Sequence, residues 1–274
     1  MLKKLLKHEL KSSWMEMVIV NGAVLVISLL FALMVNVVSS SMTFLAMGLG
    51  SIFILYFVQV VLLVSNIIRS LNKKMFTNEG YLTFTLPVTI RELLVSKILI
   101  NIFWTFVTSF MILLSMFIMG VLMTQTFNLT FIYFDAIEFV YKNFLPVLLM
   151  MVSFLIGAAF FIVVVIGVLT ILNTGKMKKH KLLLGILIFY AFSTIHSWVE
   201  QFLVIIPYSL YINPVDGGWF IGPSYTIYSM IFNPDMLING TPILSFNSIL
   251  IQLVLIVGIF VFSEKMIKNH LELE

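Results

Sequence analysis

No cysteine occurs among the 274 residues. That excludes disulfide bridges, thiolate metal sites and a cysteine nucleophile. Charge is nearly as scarce. Only 10% of the residues are Asp, Glu, Lys or Arg, against about 25% in a soluble domain. Too few polar side chains remain to cover a water-facing surface, so lipid is the solvent this composition fits. A nucleotide-binding P-loop is missing as well. It needs G-x-x-x-x-G-K-[ST] behind a strand. The one Gly-Lys pair, Gly175-Lys176, has Thr170 where a second glycine should stand, and Met177 follows it. It reads as a helix end with Gly175 as its C-cap. There is no H-E-x-x-H protease signature, and no period of 20–50 residues repeats.

What is present is apolar. Hydrophobic residues make up 61% of the chain, and the mean hydropathy is +1.12. A bilayer core needs about 20 apolar residues per helix. Six stretches qualify: 17–38, 44–68, 97–123, 144–172, 182–206 and 247–267. The first follows a basic N-terminus but is too long for a signal-peptide core, and no A-x-A site follows. It reads as a retained span. The expected fold is all-α, one polytopic transmembrane domain over residues 1–274.

Lys and Arg give the direction. The N-terminus, residues 69–96, residues 173–181 and the C-terminus, with the adjoining span ends, hold 15 of the 16 basic residues; only Lys142 falls on the other side. Basic loops stay in the cytoplasm. Both termini are expected there, and the net charge of +4 is a topology signal. Nucleic acid is not an expected partner, since no basic soluble surface exists to hold it.

The first 11 residues are amphipathic, with Leu2, Leu5, Leu6 and Leu10 on one face and Lys3, Lys4, Lys7 and Lys11 on the other. This predicts a helix lying in the membrane interface, lysines toward anionic headgroups. Ser13-x-x-Glu16 then reads as a capping box that starts the first span.

The stretch TNEGYLTFTLPVTIRELLVSK, residues 77–97, interrupts the oil. Pro87 disfavours a helical residue before it, which predicts a helix end near Leu86. Thr89-x-x-Glu92 is a second capping box, which predicts a new helix running into the third span. Tyr81, Phe84 and Leu86 are apolar knobs that a disordered linker would not need. Glu79-Gly80, Leu86-Pro87-Val88, Leu93 and Ser96-Lys97, placed between spans two and three, resemble the cytoplasmic elbow of permease subunits of ATP-binding cassette (ABC) exporters of the ABC-2 type. The flat N-terminal helix, six spans and inside termini are similar to that family too. The resemblance implies that the elbow is a coupling helix docking into a groove on a separate ATPase. Glu79, Gly80, Tyr81, Phe84 and Pro87 would then lie at or beside the docking surface. It implies a second copy of the chain or a related permease as partner. ATP and magnesium would be bound by the ATPase and not by this chain, which would be no enzyme itself.

Residues 207–246 carry five of the seven prolines and seven Tyr, Trp or Phe residues before Pro234, but no Lys or Arg. Aromatic residues at this density favour the membrane–water interface. Residues 223–232 read as a short helix dipping into the outer leaflet, and the resemblance implies re-entrant helices here that close the exit. Trp219 and Tyr225 are gate candidates on that basis. His196 and Glu200 stand at i and i+4 on the fifth span and share a face. Ionisable residues inside a span are candidates for a pathway by default. They also suit an interfacial pair. Gln59, Asn66, Asn101 and Gln252 read as hydrogen-bond glue between helices.

The expectation is therefore the membrane subunit of an ABC exporter in a bacterial plasma membrane. The 17 Met and 26 Phe suit an adaptable apolar surface, and few intramembrane charges argue against a hydrophilic polymer or a metal ion. The resemblance implies hydrophobic or amphipathic cargo, with amphipathic peptides favoured and drugs or lipids the alternative. The chain resembles the family's exporters of phenol-soluble modulins or bacteriocins. A second class is an ion-coupled transporter with His196 and Glu200 as a proton relay. The absent inverted repeat and the absence of broken mid-membrane helices stand against it. An intramembrane enzyme needs a convergent nucleophile and base, and only His196 of the four histidines lies in a span.

Overall fold

The structure is a computed structural model that describes residues 2–38, 42–76, 88–127, 138–174, 180–213, 218–224 and 241–270. Six long helices carry it: α1 (Leu2–Val38), α2 (Met42–Phe76), α3 (Ile90–Phe127), α4 (Phe144–Thr174), α5 (Lys181–Phe202) and α6 (Phe246–His270). All six are long and apolar enough to cross a membrane. Between α5 and α6 lie three strands, β1 (Tyr208–Ile212), β2 (Trp219–Pro223) and β3 (Thr241–Ser245). The chain divides into two compact units, one built on α1–α3 and the other on α4–α6 with the strands.

In the first unit α1 and α3 run in the same direction. Glu9 meets Lys97, Ser13 meets Trp104, and Asn21 meets Thr108. The partner number rises along both helices. Helix α2 runs the opposite way against α1, since Gln59 meets Asn21 while Arg69 meets Glu16. The result is an up-down-up trio. Its core is Met17, Val24, Ala32, Ile52, Leu63, Ile67, Leu94, Ile100 and Trp104.

Helix α1 corrects one expectation. It runs unbroken from Leu2 to Val38, so no cap at Ser13 separates an interfacial helix from the first span. The reason is local. The Ser13 hydroxyl donates backward to the Glu9 carbonyl at 3.1 Å. That is the in-helix use of serine, which competes with capping. Glu16 turns away to Arg69 and Asn66 on α2. No proline stands between them to end the helix. The amphipathic split itself is present: Leu2, Leu5, Leu6 and Leu10 are half-buried, and the four lysines are exposed.

In the second unit α4 is the most enclosed span. Ile162, Val163, Val164, Val165, Ile166 and Val168 are all buried, as a helix hydrophobic on every side requires. Pro146 lies in its first turn, just after the turn residue Asn143 that separates α4 from the helical residues 138–142. Close packing depends on Gly167. A Cβ there would stand 2.8 Å from Ile259 Cγ2 of α6. Without a hydrophobic force between helices in lipid, small residues that let backbones approach supply the contact. Gly167→Leu should therefore destabilise the protein by about 1–3 kcal/mol through overpacking. Thermal unfolding in detergent reads this directly. Gly258→Ala on the facing helix, where a Cβ meets nothing within 4 Å, should unfold with the parent.

The strands also depart from the all-α expectation. They form one antiparallel sheet in the order β2-β1-β3. Tyr211 is opposite Phe220 in the register, and the two rings stack at 5.3 Å. Tyr211 also donates its hydroxyl to the Pro223 carbonyl at 2.6 Å. The prolines of this stretch are placed where strands tolerate them. Pro223 and Pro242 fall on β2 and β3, the two edges, and the central β1 has none. An edge strand has one side free of ladder bonds, so a missing N–H costs nothing there. Of the expected 223–232 helix, Pro223 belongs to β2, and residues 225–232 lie outside the described residues.

Candidate functional site

The elbow residues Glu79, Gly80, Tyr81, Phe84 and Pro87 lie outside the described residues. The helix that follows them is well defined. The Thr89 backbone N–H donates to Glu92 Oε2 at 3.2 Å, and the Glu92 N–H donates to Thr89 Oγ1 at 3.2 Å. This is the reciprocal capping box read from the sequence. It satisfies two donors that would otherwise be orphaned at the helix start. From Ile90 the helix continues without a break to Phe127. Its first two turns are not a free end: Leu93, Leu94, Ser96 and Lys97 are buried.

Lys97 is held by α1. Its Nζ donates to Glu9 Oε1 at 2.7 Å, with the side chains 1% and 11% exposed respectively. One turn further along α1, Ser13 Oγ accepts the Trp104 indole N–H at 2.7 Å. Higher again, Asn21 Nδ2 contacts Thr108 Oγ1 at 3.4 Å, and Gln59 Nε2 donates to Asn21 Oδ1 at 2.8 Å. Glu9 to Asn21 spans twelve residues, or about 18 Å of helix. A ladder of polar contacts thus binds α1 to α3, with the ion pair at its foot.

This ladder tests the glue expectation residue by residue. Gln59 and Asn66 do bridge helices, to Asn21 and Glu16. Gln252 instead bonds Ser248 on its own helix at 3.3 Å. Asn101 Nδ2 is buried with no hydrogen-bond partner among the described residues.

The four pathway or gate candidates do not gather into one described site. His196 and Glu200 share a face of α5, but no hydrogen bond or ion pair joins their side chains. His196 packs its ring against Phe160 of α4, centroids 4.7 Å apart, and its Nε2 is buried with no hydrogen-bond partner among the described residues. Glu200 offers its backbone carbonyl to Asn247. Trp219 opens β2 and is exposed. Tyr225 lies outside the described residues. No group of three His, Asp or Glu side chains suited to a metal is found among the described residues.

Two functional groups escaped the reading of the sequence. One is Glu9, which belongs to the leucine face of α1 and not to its lysine face. Its signal was present: positions 2, 5, 6 and 9 follow one helical stripe. The other is Asn247, buried at the start of α6. Its Oδ1 accepts the N–H groups of Ile205 and Ile206, at 2.9 and 3.3 Å. Its Nδ2 donates to the Glu200 and Leu203 carbonyls, at 3.3 and 3.0 Å. This explains why α5 stops at Phe202 and not at the expected residue 206. A side chain takes over the backbone groups that another helical turn would have used.

No family model, no curated protein and no solved structure matches this chain. The functional reading therefore stands on the chain's own residues.

Proposed function

We propose that this chain is the membrane subunit of an ATP-driven exporter of the ABC-2 type. One observation carries the reading. The polar stretch 77–87 leads through a reciprocal capping box straight into one uninterrupted helix, whose first turns are buried. A push delivered to that stretch would pass into a rigid span and not dissipate in a loose loop. On this reading Glu79, Gly80, Tyr81, Phe84 and Pro87 dock a soluble ATPase that binds ATP and magnesium. Two copies of the chain, or this chain and a related permease, face each other in a bacterial plasma membrane with their termini in the cytoplasm. ATP binding closes the ATPases and rocks the spans. An amphipathic peptide leaves between the protomers, past residues 207–246, where Trp219 and Tyr225 line the exit. Drugs or lipids are the alternative cargo. The abundance of Met and Phe suits such cargo, since these side chains repack around varied apolar surfaces.

The test is purification in mild detergent from the native membrane, with mass spectrometry of whatever accompanies the chain. A stoichiometric soluble protein bearing a P-loop is the expected companion. A homogeneous, transport-competent protein without any ATPase would remove the reading. It would turn attention to the ion-coupled class and to His196 and Glu200.

A further inference from the structure

A buried ion pair is a poor way to glue two helices. Taking both charges out of water carries a penalty that their attraction repays only with good geometry, and apolar residues of similar volume often hold as well or better. What the charges add is position. An apolar contact tolerates a slide, whereas an ion pair is satisfied at one register and leaves two buried charges at any other. Fixing register is the best-attested role of buried polar groups.

Glu9 and Lys97 have the geometry for that role. They meet at 2.7 Å with Lys97 fully enclosed. They also have the position. Lys97 is in the second turn of α3, just beyond the Thr89–Glu92 cap. Glu9 lies in the second turn of α1, within the lysine-rich segment and well before the apolar run that begins at Met17. The Trp104–Ser13 bond repeats the constraint higher up. Arg69–Glu16, by contrast, is an exposed pair at 3.5 Å, of a kind that constrains little.

We propose that Glu9 and Lys97 form a register latch, which makes the N-terminal segment of α1 move as one body with the root of α3. A displacement of the α3 N-terminus is then shared by two helices. In this proposal Glu9 and Lys97 are positioning residues: they act on the relative placement of α1 and α3. The latch depends on the exporter reading only for what drives the displacement.

The absence of cysteine makes the test clean. Cysteines placed at Lys4 and Arg91, both exposed, take spin labels without background. The full chain is measured in lipid nanodiscs by pulsed dipolar spectroscopy. The parent should show one narrow distance distribution. Glu9→Gln and Lys97→Met should broaden it or split it. The exchanged pair, Glu9→Lys with Lys97→Glu, should narrow it again. A broad parent distribution, or a narrow one in folded Lys97→Met, overturns the latch. Should Lys97→Met fail to fold, Glu9→Gln decides: it keeps an uncharged hydrogen-bonding side chain at position 9, and an unchanged narrow distribution there overturns the proposal equally. A second arm adds ATP to the complex with its ATPase. The labelled distance should hold still in the parent and shift by several ångströms in Glu9→Gln. If no ATPase accompanies the chain, the exporter reading falls while the first arm still decides the latch.

Discussion

Asn247→Leu should destabilise the protein by about 2–4 kcal/mol. The substitution removes one side chain and orphans four backbone groups: the N–H groups of Ile205 and Ile206 and the carbonyls of Glu200 and Leu203. Each buried group left unpaired costs about 1–3 kcal/mol. The sum is discounted because the chain after Phe202 is partly exposed, so water replaces some of what is lost. Leucine fills a similar volume, so little of the effect is a cavity. The measurement is thermal unfolding in a fixed detergent, with hydrogen exchange at residues 203–206. Faster exchange confined to those amides and their neighbours is the expected pattern. Asn247→Asp separates the two halves of the role. It keeps an acceptor for the amides and loses the donor to the carbonyls, and it should fall between parent and leucine variant. Unfolding of Asn247→Leu at the parent's temperature would show that these four bonds are replaced at no cost.

Tyr81→Ala with Phe84→Ala should cut the yield of ATPase complex about 100-fold while leaving membrane insertion and helix content unchanged. The size follows from interface energetics. Truncating an aromatic anchor at the centre of an interface costs 2 kcal/mol or more, and most other contacts cost little. A loss of about 1.4 kcal/mol per ring is a conservative figure, and it gives tenfold per ring. Co-purification and nucleotide-dependent transport both read the outcome. Parent-like complex and transport in the double variant would end the assignment of residues 77–87 as the coupling element.

The six spans were legible because a single property, apolar length, decides them. Lipid leaves the backbone no other way to satisfy its polar groups than a helix or a closed barrel. The α3 start was legible for a different reason: Thr89 and Glu92 carry both halves of the capping box within four residues. Ser13 and Glu16 fit the same S/T-x-x-E pattern and do something else. What separates the two cases is context. Pro87 stands before Thr89 and prevents the helix from continuing backward, whereas nothing before Ser13 does. A capping pattern without a helix breaker is therefore ambiguous.

The sheet was missed because the aromatic density of residues 207–246 was read as an interfacial belt with a dipping helix, and prolines suit strands only where those strands are edges. Which strands are edges follows only from the pairing order β2-β1-β3. Glu9 and Lys97 were hidden by distance. They are 88 residues apart, and each looked ordinary in its own segment, one charge in a charged helix and one at the end of a span. Asn247 and the end of α5 are likewise more than 40 residues apart. Contacts of this range are tertiary, and local periodicity contains no trace of them.

The helix lengths carry a consequence for the membrane this protein prefers. Helices α1, α2 and α3 contain 37, 35 and 38 residues. At about 1.5 Å per residue each exceeds 50 Å, while a hydrocarbon core is about 30 Å thick. Their ends reach past a core of that thickness. Helix α5 has 22 residues, and its apolar stretch, Leu183–Phe202, has only 20. That stretch just matches the core with nothing in reserve. A thicker bilayer is met by local thinning or by snorkelling of flanking residues, each at a fraction of a kcal/mol per ångström. Helix α5 has the shortest apolar stretch of the six described helices, and it is the helix that carries His196 and Glu200 and ends on Asn247.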